Sequence, residues 1–256
     1  MTERPPTTAL LACDLDGTLI ADDGSPAPGI VSALADLDAR GARLVVCTGR
    51  PLHGAAKAVV VLRADPVAFV CYHGALVVDA TAGEWLRHLT IPAQTVSGVV
   101  RVAHGLGLSV TLYEGDERRD LAAATGAAQL DSCAFAGITR VVLSGDAHRL
   151  ATASAALRAS WRRTVRLEPA GGGTVAILPA AADKGEGLRL VASHLGVPGQ
   201  RIVACGDAAA DESLLLAAAV RIAVGAAPAT LRAAAQLVVS QADLAEALRR
   251  AVASFD

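Results

Sequence analysis

The sequence predicts an α/β fold: one parallel-sheet domain interrupted by an α+β insert. Three observations carry this. Apolar runs of strand length occur at 9-13 (ALLAC), 43-47 (RLVVC) and 67-71 (VAFVC), separated by stretches of helical pattern. The same alternation returns near the C-terminus, with RIVAC at 201-205 and VRIAV at 220-224. Residues 82-179, between the two blocks, mix helix and hairpin signals instead.

Taken in order, residues 9-13 read as a buried strand running into Asp14. Residues 28-40 place Ile30, Val31, Leu34 and Leu37 on one helical face, with Gly41 as the stop. After the strand 43-47, Pro51 opens a helix at a favoured first-turn position. Uniformly apolar strands alternating with helices imply a parallel sheet covered on both faces, a Rossmann-like core. In the insert, 94-106 and 147-161 read as helices, and 108-113 and 139-143 as strands. Residues 164-168 and 174-178 read as a hairpin around Gly171-Gly172-Gly173. Asp183-Lys184-Gly185-Glu186 looks like a capping box opening a helix that Gly196 ends, and 242-253 reads as a final amphipathic helix. The domains are therefore expected at 1-81 plus 180-256 (core) and 82-179 (insert).

Composition narrows the function. Of 256 residues, 53% are hydrophobic but only 3% aromatic, so the core must be aliphatic. A net charge of -2 argues against a nucleic-acid partner, though one local site can still be cationic. The apolar stretch 214-227 is too short to span a membrane and contains Arg221. The N-terminal residues lack the pattern of a secretory signal, so a cytoplasmic protein is expected. The five cysteines (Cys13, Cys47, Cys71, Cys133, Cys205) form no CxxC pair and read as small buried residues, not as a zinc site or a disulfide framework.

Four polar clusters fall at strand ends or a helix start: Asp14-Leu15-Asp16-Gly17-Thr18, Thr48-Gly49-Arg50, Lys184, and Gly206-Asp207 through Asp211. In parallel α/β sheets the ligand site lies beyond the carboxyl ends of the strands, so the clusters can converge there. Asp14, Asp16, Asp207 and Asp211 would then bring four carboxylates into one crevice, and a phosphate would add about two more negative charges. Lys184 alone cannot balance that, which predicts a hard divalent cation, Mg2+ being the usual one. Of two aspartates two residues apart, one can attack phosphorus while the other protonates the leaving oxygen and later deprotonates water. Thr48 can hydrogen-bond a phosphoryl oxygen, and Lys184 can neutralise charge on the transferring group. Only Lys57 and Lys184 are lysines among 23 basic residues, so a lysine at a helix start suggests a need for a compact ammonium. Singly, a DxD pair or a Gly-Asp turn is common; the order and joint placement of the clusters carry the reading.

These motifs resemble those of the haloacid dehalogenase superfamily over nearly the whole chain. Asp14-Leu15-Asp16-Gly17-Thr18-Leu19 is similar to its first motif, Thr48 to the second, Lys184 to the third, and Gly206-Asp207 with Asp211 to the fourth. The resemblance implies Asp14 as nucleophile and Asp16 as acid/base. It also implies Mg2+ held by Asp14, Asp207 and the backbone carbonyl of Asp16, with Asp211 supporting the metal shell. Only 32 positions separate Asp16 from Thr48, whereas 136 separate Thr48 from Lys184. The insert must lie in the second gap, which resembles the type-two capped branch and its Cof-type sugar phosphatases. The insert is then a cap closing over the leaving group, with Tyr113, Glu114, Arg118 and Arg119 as polar candidates. Gly49, Arg50, His73 and Gly74 are the candidate substrate-binding residues.

Two positions depart from the family pattern. His73-Gly74-Ala75 stands where Asn-Gly-Ala is usual, and Ala210 stands where an Asn usually precedes the last Asp. The expected activity is Mg2+-dependent hydrolysis of a small phosphorylated metabolite, a sugar phosphate above all. The alternatives are a phosphosugar mutase or a sugar-phosphate binding protein weakened in catalysis. The sequence leaves the oligomeric state open between monomer and dimer.

Overall fold

A computed structural model describes residues 6–121 and 135–255; Cys133 lies outside the described residues. The chain divides into two compact units, one running to Arg87 and resuming at Asp183, the other His88–Ala182. The sequence pattern alone places these cuts at 81/82 and 179/180.

The first unit holds an eight-stranded sheet. Its strands are β1 (Ala9–Cys13), β2 (Ala42–Cys47), β3 (Ala68–Cys71), β4 (Leu76–Asp79), β5 (Glu84–His88), β11 (Ile202–Gly206), β12 (Val220–Val224) and β13 (Leu237–Val239). Across the sheet the order is β13-β12-β11-β1-β2-β3-β4-β5. The pairs from β13 to β3 are parallel, and β4 turns back antiparallel on β3. Strands β1, β2, β3 and β11 are buried along their whole length, as apolar runs require; the one exception in them is Arg43 of β2, which pairs with Asp38 at 2.5 Å. The chain leaves β1 towards β2 on one side and returns to β11 on the other, so the carboxyl end of β1 is the switch point of the sheet.

Helices cover both faces. On one, α5 (Lys184–His194), α6 (Glu212–Leu216) and α7 (Ala229–Ala234) pack Leu188, Val191, Leu214, Leu215 and Leu231 against Leu10, Ala12, Val45 and Val70. On the other, α1 (Ile30–Ala39) packs against α8 (Leu244–Ala253), tied by an Arg249–Asp36 ion pair at 2.8 Å. Helix α2 (Leu52–Leu62) follows Pro51, whose extended ψ of 161° makes it the residue before the first turn. Lys57 is exposed on it. The core is largely aliphatic, and Cys13, Cys47, Cys71 and Cys205 are buried in it, none of them in a disulfide.

The second unit is a five-stranded sheet in the order β7-β6-β8-β10-β9. Its strands are β6 (Ser109–Glu114), β7 (Glu117–Leu121), β8 (Ile138–Ser144), β9 (Val165–Pro169) and β10 (Thr174–Pro179), all paired antiparallel. Helices α3 (Ala93–Gly105) and α4 (Ala147–Trp161) lie on one face and bury Val96, Val99, Leu150 and Leu157 against Val110, Leu112, Val141 and Leu143. Among the described residues no helix is long and apolar enough to cross a membrane.

The sequence pattern omits β4, β5, β7, β13, α6 and α7. Each is short, and β5 and β7 are too polar to alternate clearly. The capping box at Asp183 is half formed. Asp183 Oδ1 accepts from the Glu186 amide at 2.8 Å, but the Glu186 carboxylate pairs with Arg189 one turn on, at 2.7 Å.

Helix α5 is fastened at both ends. Its first residue is Lys184; its last, His194, places Nε2 2.8 Å from Asp79 Oδ2 at the end of β4. Asp79 Oδ1 accepts from the Thr81 amide (2.8 Å), the Thr81 hydroxyl (2.6 Å) and the Ala82 amide (3.0 Å). Burial alone would raise this carboxyl, but these bonds outweigh it and hold the group well below the usual carboxylate range. A group depressed by folding stabilises the protein above its unfolded pKa, and that contribution fades as pH falls towards the folded value. Asp79→Ala is therefore expected to lower the unfolding free energy by about 1–3 kcal/mol at neutral pH. The difference from wild type should shrink below about pH 4. Denaturant melts across pH check this, and a difference independent of pH would contradict it.

Candidate active site

The carboxyl end of β1 is where the polar clusters meet. Asp14 follows the strand directly, and its amide donates to the Cys205 carbonyl of β11 at 3.0 Å, carrying the sheet ladder one residue further. Its side chain is 8% exposed. The chain then turns sharply, with the Ile20 and Gly17 backbones bonded at 2.8 Å. That turn sends the Asp16 side chain outward and the Thr18 hydroxyl inward, to donate to Asp207 Oδ1 at 2.9 Å.

Lys184 enters from the start of α5. Its ammonium is 3% exposed and donates to Asp14 Oδ1 at 2.6 Å and to Asp211 Oδ1 at 2.5 Å. The other Asp211 oxygen accepts from the amides of Asp207 (3.2 Å) and Ala208 (3.0 Å), so this fully buried carboxylate closes the loop that leaves β11. Ala210, beside it, contributes no side-chain donor. Thr48 directly follows β2, is fully buried, and accepts from the Arg50 amide at 3.1 Å through its hydroxyl.

The charges do not balance. Asp14, Asp207 and Asp211 each bring an oxygen within 4.8 Å of the others, around one lysine. Burial pushes Asp14 up to about 8; Lys184 pulls it down, and the carboxylates of Asp211 and Asp207 push it up again. Burial also raises Asp207, against the hydrogen bond from Thr18. Burial works against a charge on Lys184, but Asp14 and Asp211 outweigh it and hold the ammonium above the ordinary lysine value. Three carboxylates against one cation leave an excess of negative charge, and carboxylate oxygens are the donors a hard divalent ion takes. The residues present therefore fit a divalent cation.

Of the four aspartates that the sequence groups together, three converge as side chains. The fourth, Asp16, turns its carboxylate to the guanidinium of Arg50: Nε donates to Oδ2 at 2.8 Å, and a second nitrogen pairs with Oδ1. Asp16 could meet an ion at the cluster only through its backbone carbonyl. Gly49, Arg50, His73 and Gly74 lie together beside Thr48, the His73 amide donating to the Thr48 carbonyl at 3.0 Å. In the second unit, Tyr113 and Glu114 on β6 face the β7 segment that carries Arg118 and Arg119. Arg118 is paired with Asp120, and Arg140 lies 5.7 Å from the centre of the Tyr113 ring. The sequence carried no signal for the Arg50–Asp16 pair, nor for Asp211 as the brace between Lys184 and two amides. The Arg50–Asp16 and Lys184–Asp211 contacts join residues 34 and 27 apart in the chain.

Comparison with known proteins bears on the family and the fold. A family model for haloacid dehalogenase-like hydrolases matches residues 11–123 and 131–249. A haloacid dehalogenase-like hydrolase from Bacteroides thetaiotaomicron superposes with a TM-score of 0.82 at 22% identity, covering 95% of this chain and 99% of that one. The subclass IIB sugar phosphatase BT4131 gives a TM-score of 0.75 at 18% identity, over 95% and 98% of the two chains. A provisionally named phosphatase of Streptococcus pyogenes is 34% identical over 77 residues, which span 29% of this chain and 29% of that relative. Sharing its family model over most of its length and its two-unit fold with solved members, the chain belongs to the haloacid dehalogenase-like hydrolases.

Proposed function

We propose that this chain is a Mg2+-dependent phosphatase of small phosphorylated metabolites, sugar phosphates above all. The observation that carries the reading is the buried Lys184 shared by Asp14 and Asp211 beside Asp207: a cationic anchor within an unbalanced anionic cluster. Asp14, Asp207 and the Asp16 carbonyl would hold Mg2+, with Asp211 behind them. When bound, the ion supplies positive charge to the phosphoryl oxygens and keeps Asp14 ionised.

Asp14 attacks phosphorus through one carboxylate oxygen. The ester oxygen leaves and takes a proton from Asp16, giving an aspartyl-phosphate and a free alcohol. Asp16, now ionised, accepts a proton from water as that water attacks the phosphorus. Inorganic phosphate leaves and the Asp14 carboxylate is restored. Lys184 steadies the nucleophile, and the Thr48 hydroxyl faces a phosphoryl oxygen. Gly49 and Gly74 would form the wall beside it, with the Arg50 guanidinium turned to Asp16 and the His73 ring set against residue 49.

A phosphate-release assay over a panel of phosphorylated metabolites tests the reading. Asp14→Asn should abolish turnover while leaving the fold intact; retention of more than about a tenth of kcat, a loss under roughly 1.4 kcal/mol of barrier, would remove Asp14 from its role. Chelator should silence the enzyme and Mg2+ restore it, with Ca2+ a poor substitute because its looser shell misplaces the carboxylate. A requirement for a bisphosphate activator would point to a mutase.

The metal reading makes a separate prediction about pH. A carboxyl raised by folding stabilises the native state below its unfolded pKa and loses that contribution as pH rises through the folded value. With Asp14 at about 8, the metal-free protein should lose stability from this site between roughly pH 4 and pH 8. Because Mg2+ binds the ionised carboxylate, the rise in Tm on adding Mg2+ should be larger at pH 8 than at pH 6. Thermal melts in chelator and in Mg2+ measure this; a smaller rise at pH 8 would contradict the ligand set.

A further inference from the structure

The backbone after β3 is unusual. Tyr72 and His73 both have positive φ, 50° and 55°, and Gly74 follows at 96°. Two consecutive non-glycine residues in the left-handed region, one a fully buried tyrosine, cost about 1–3 kcal/mol each. Such a cost persists only where surrounding contacts enforce it, and here the contacts lead to the catalytic loops.

The Tyr72 amide donates to the Arg50 carbonyl at 3.2 Å, and the His73 amide donates to the Thr48 carbonyl at 3.0 Å. The Nε2 edge of the imidazole lies against residue 49, where an added Cβ would come within 2.5 Å of His73 Nε2, so a larger residue there and the ring could not both keep their places. On its other side the arch touches the start of α5: a Cβ on Gly74 would come within 2.0 Å of the Asp183 carbonyl, one residue before Lys184. Arg50, its amide bound to the Thr48 hydroxyl, then extends its guanidinium to both Asp16 oxygens. The Asp16 side chain is 59% exposed, so it owes its direction to this fork.

We propose that His73 is a positioning residue: the left-handed arch Tyr72–His73–Gly74 clamps Thr48-Gly49-Arg50, and through Arg50 it sets where the Asp16 carboxylate stands. The proposal rests on the phosphatase reading, in which Asp16 delivers a proton to the leaving group. It gives His73 a role other than contact with substrate. The ring is the spacer that holds the loop. An Asn at this position would tolerate the left-handed backbone but would leave a gap above Gly49.

A residue acting through Asp16 has a distinctive signature. Loss of a phosphate contact slows every substrate alike. Misplacement of the proton donor slows only those whose leaving oxygen needs the proton, an effect worth about 10²–10⁴-fold when complete. The test is single-turnover release of the leaving group, with enzyme in excess and Mg2+ saturating, from glucose 6-phosphate and from p-nitrophenyl phosphate. The phenolate of the second leaves with little help. His73→Asn and Arg50→Gln should each slow glucose 6-phosphate at least about tenfold, or about 1.4 kcal/mol, while slowing p-nitrophenyl phosphate less than about threefold. Added to Asp16→Asn, His73→Asn should cost nothing further. Gly49→Ala, which forces the loop off the ring, should reproduce the pattern and serves if His73→Asn does not fold. Equal losses on both substrates, no loss on either, or full additivity with Asp16→Asn would overturn the positioning role. If Asp16→Asn itself discriminates between the substrates while His73→Asn does not, only the positioning role falls. If Asp16→Asn shows no discrimination, or the wild type releases neither product, the catalytic reading fails and takes the proposal with it.

Discussion

A buried ammonium between two buried carboxylates is the constraint on which the site depends. Removing ions from water costs several kcal/mol each, and the cost is recovered only if every charge finds a close partner. Lys184, Asp14 and Asp211 lie on separate segments, at a helix start, a strand end and the loop after another strand. Their mutual need requires that these three chain positions coincide. The sheet order allows it, because β1 and β11 are neighbours at the switch point and α5 packs across that edge. The Asp79–His194 contact does the matching work at the far end of the helix, where a slip of one turn would withdraw Lys184 from the pair.

The same cluster is deliberately incomplete. One lysine against Asp14, Asp207 and Asp211 leaves surplus negative charge; burial does most to raise the carboxyls of Asp14 and Asp207, and the neighbouring carboxylates add to it. A site evolved only for stability would have added a second base or removed an acid. Tolerance of the surplus is intelligible in a family whose chemistry brings a cation and a phosphate together, since each offsets the charge of the other. The sheet can carry this cost because its central strands are buried end to end in aliphatic neighbours.

How far the sequence reveals this differs by level. The central strands are plain because total burial demands continuous apolar runs, and β1, β2, β3 and β11 have them. Strands β5 and β7 are hard to see because Glu84–His88 and Glu117–Leu121 carry charges on exposed edges, where pairing and not patterning defines the element. At the site, Asp14, Thr48, Lys184 and Asp207 are legible because each sits at a strand end or helix start with little freedom to be elsewhere. Asp16 is legible as an acid but not as the partner of Arg50. That contact joins residues 34 apart through two flexible side chains. The close approach of His73 to Gly49 is equally hidden: a histidine after a strand looks like any turn residue until the left-handed backbone beneath it is seen.

The site thus divides by burial as well as by charge. Asp14, Thr48, Lys184 and Asp211 are almost wholly buried and bonded at fixed distances, as suits groups that must meet a phosphorus centre in one geometry. Asp16 and Arg50 are substantially exposed. In the proposed reaction the group that gives a proton to the leaving oxygen next takes one from the attacking water, so it has to stand where the departing alcohol and the incoming water can both reach it, and burial would forbid that. Exposure, however, leaves a short side chain free to wander, and the guanidinium fork restores direction without removing water. The strain at Tyr72 and His73 then has a physical context: the left-handed arch stands behind the exposed end of the site, where the fold cannot use burial to hold its residues in place.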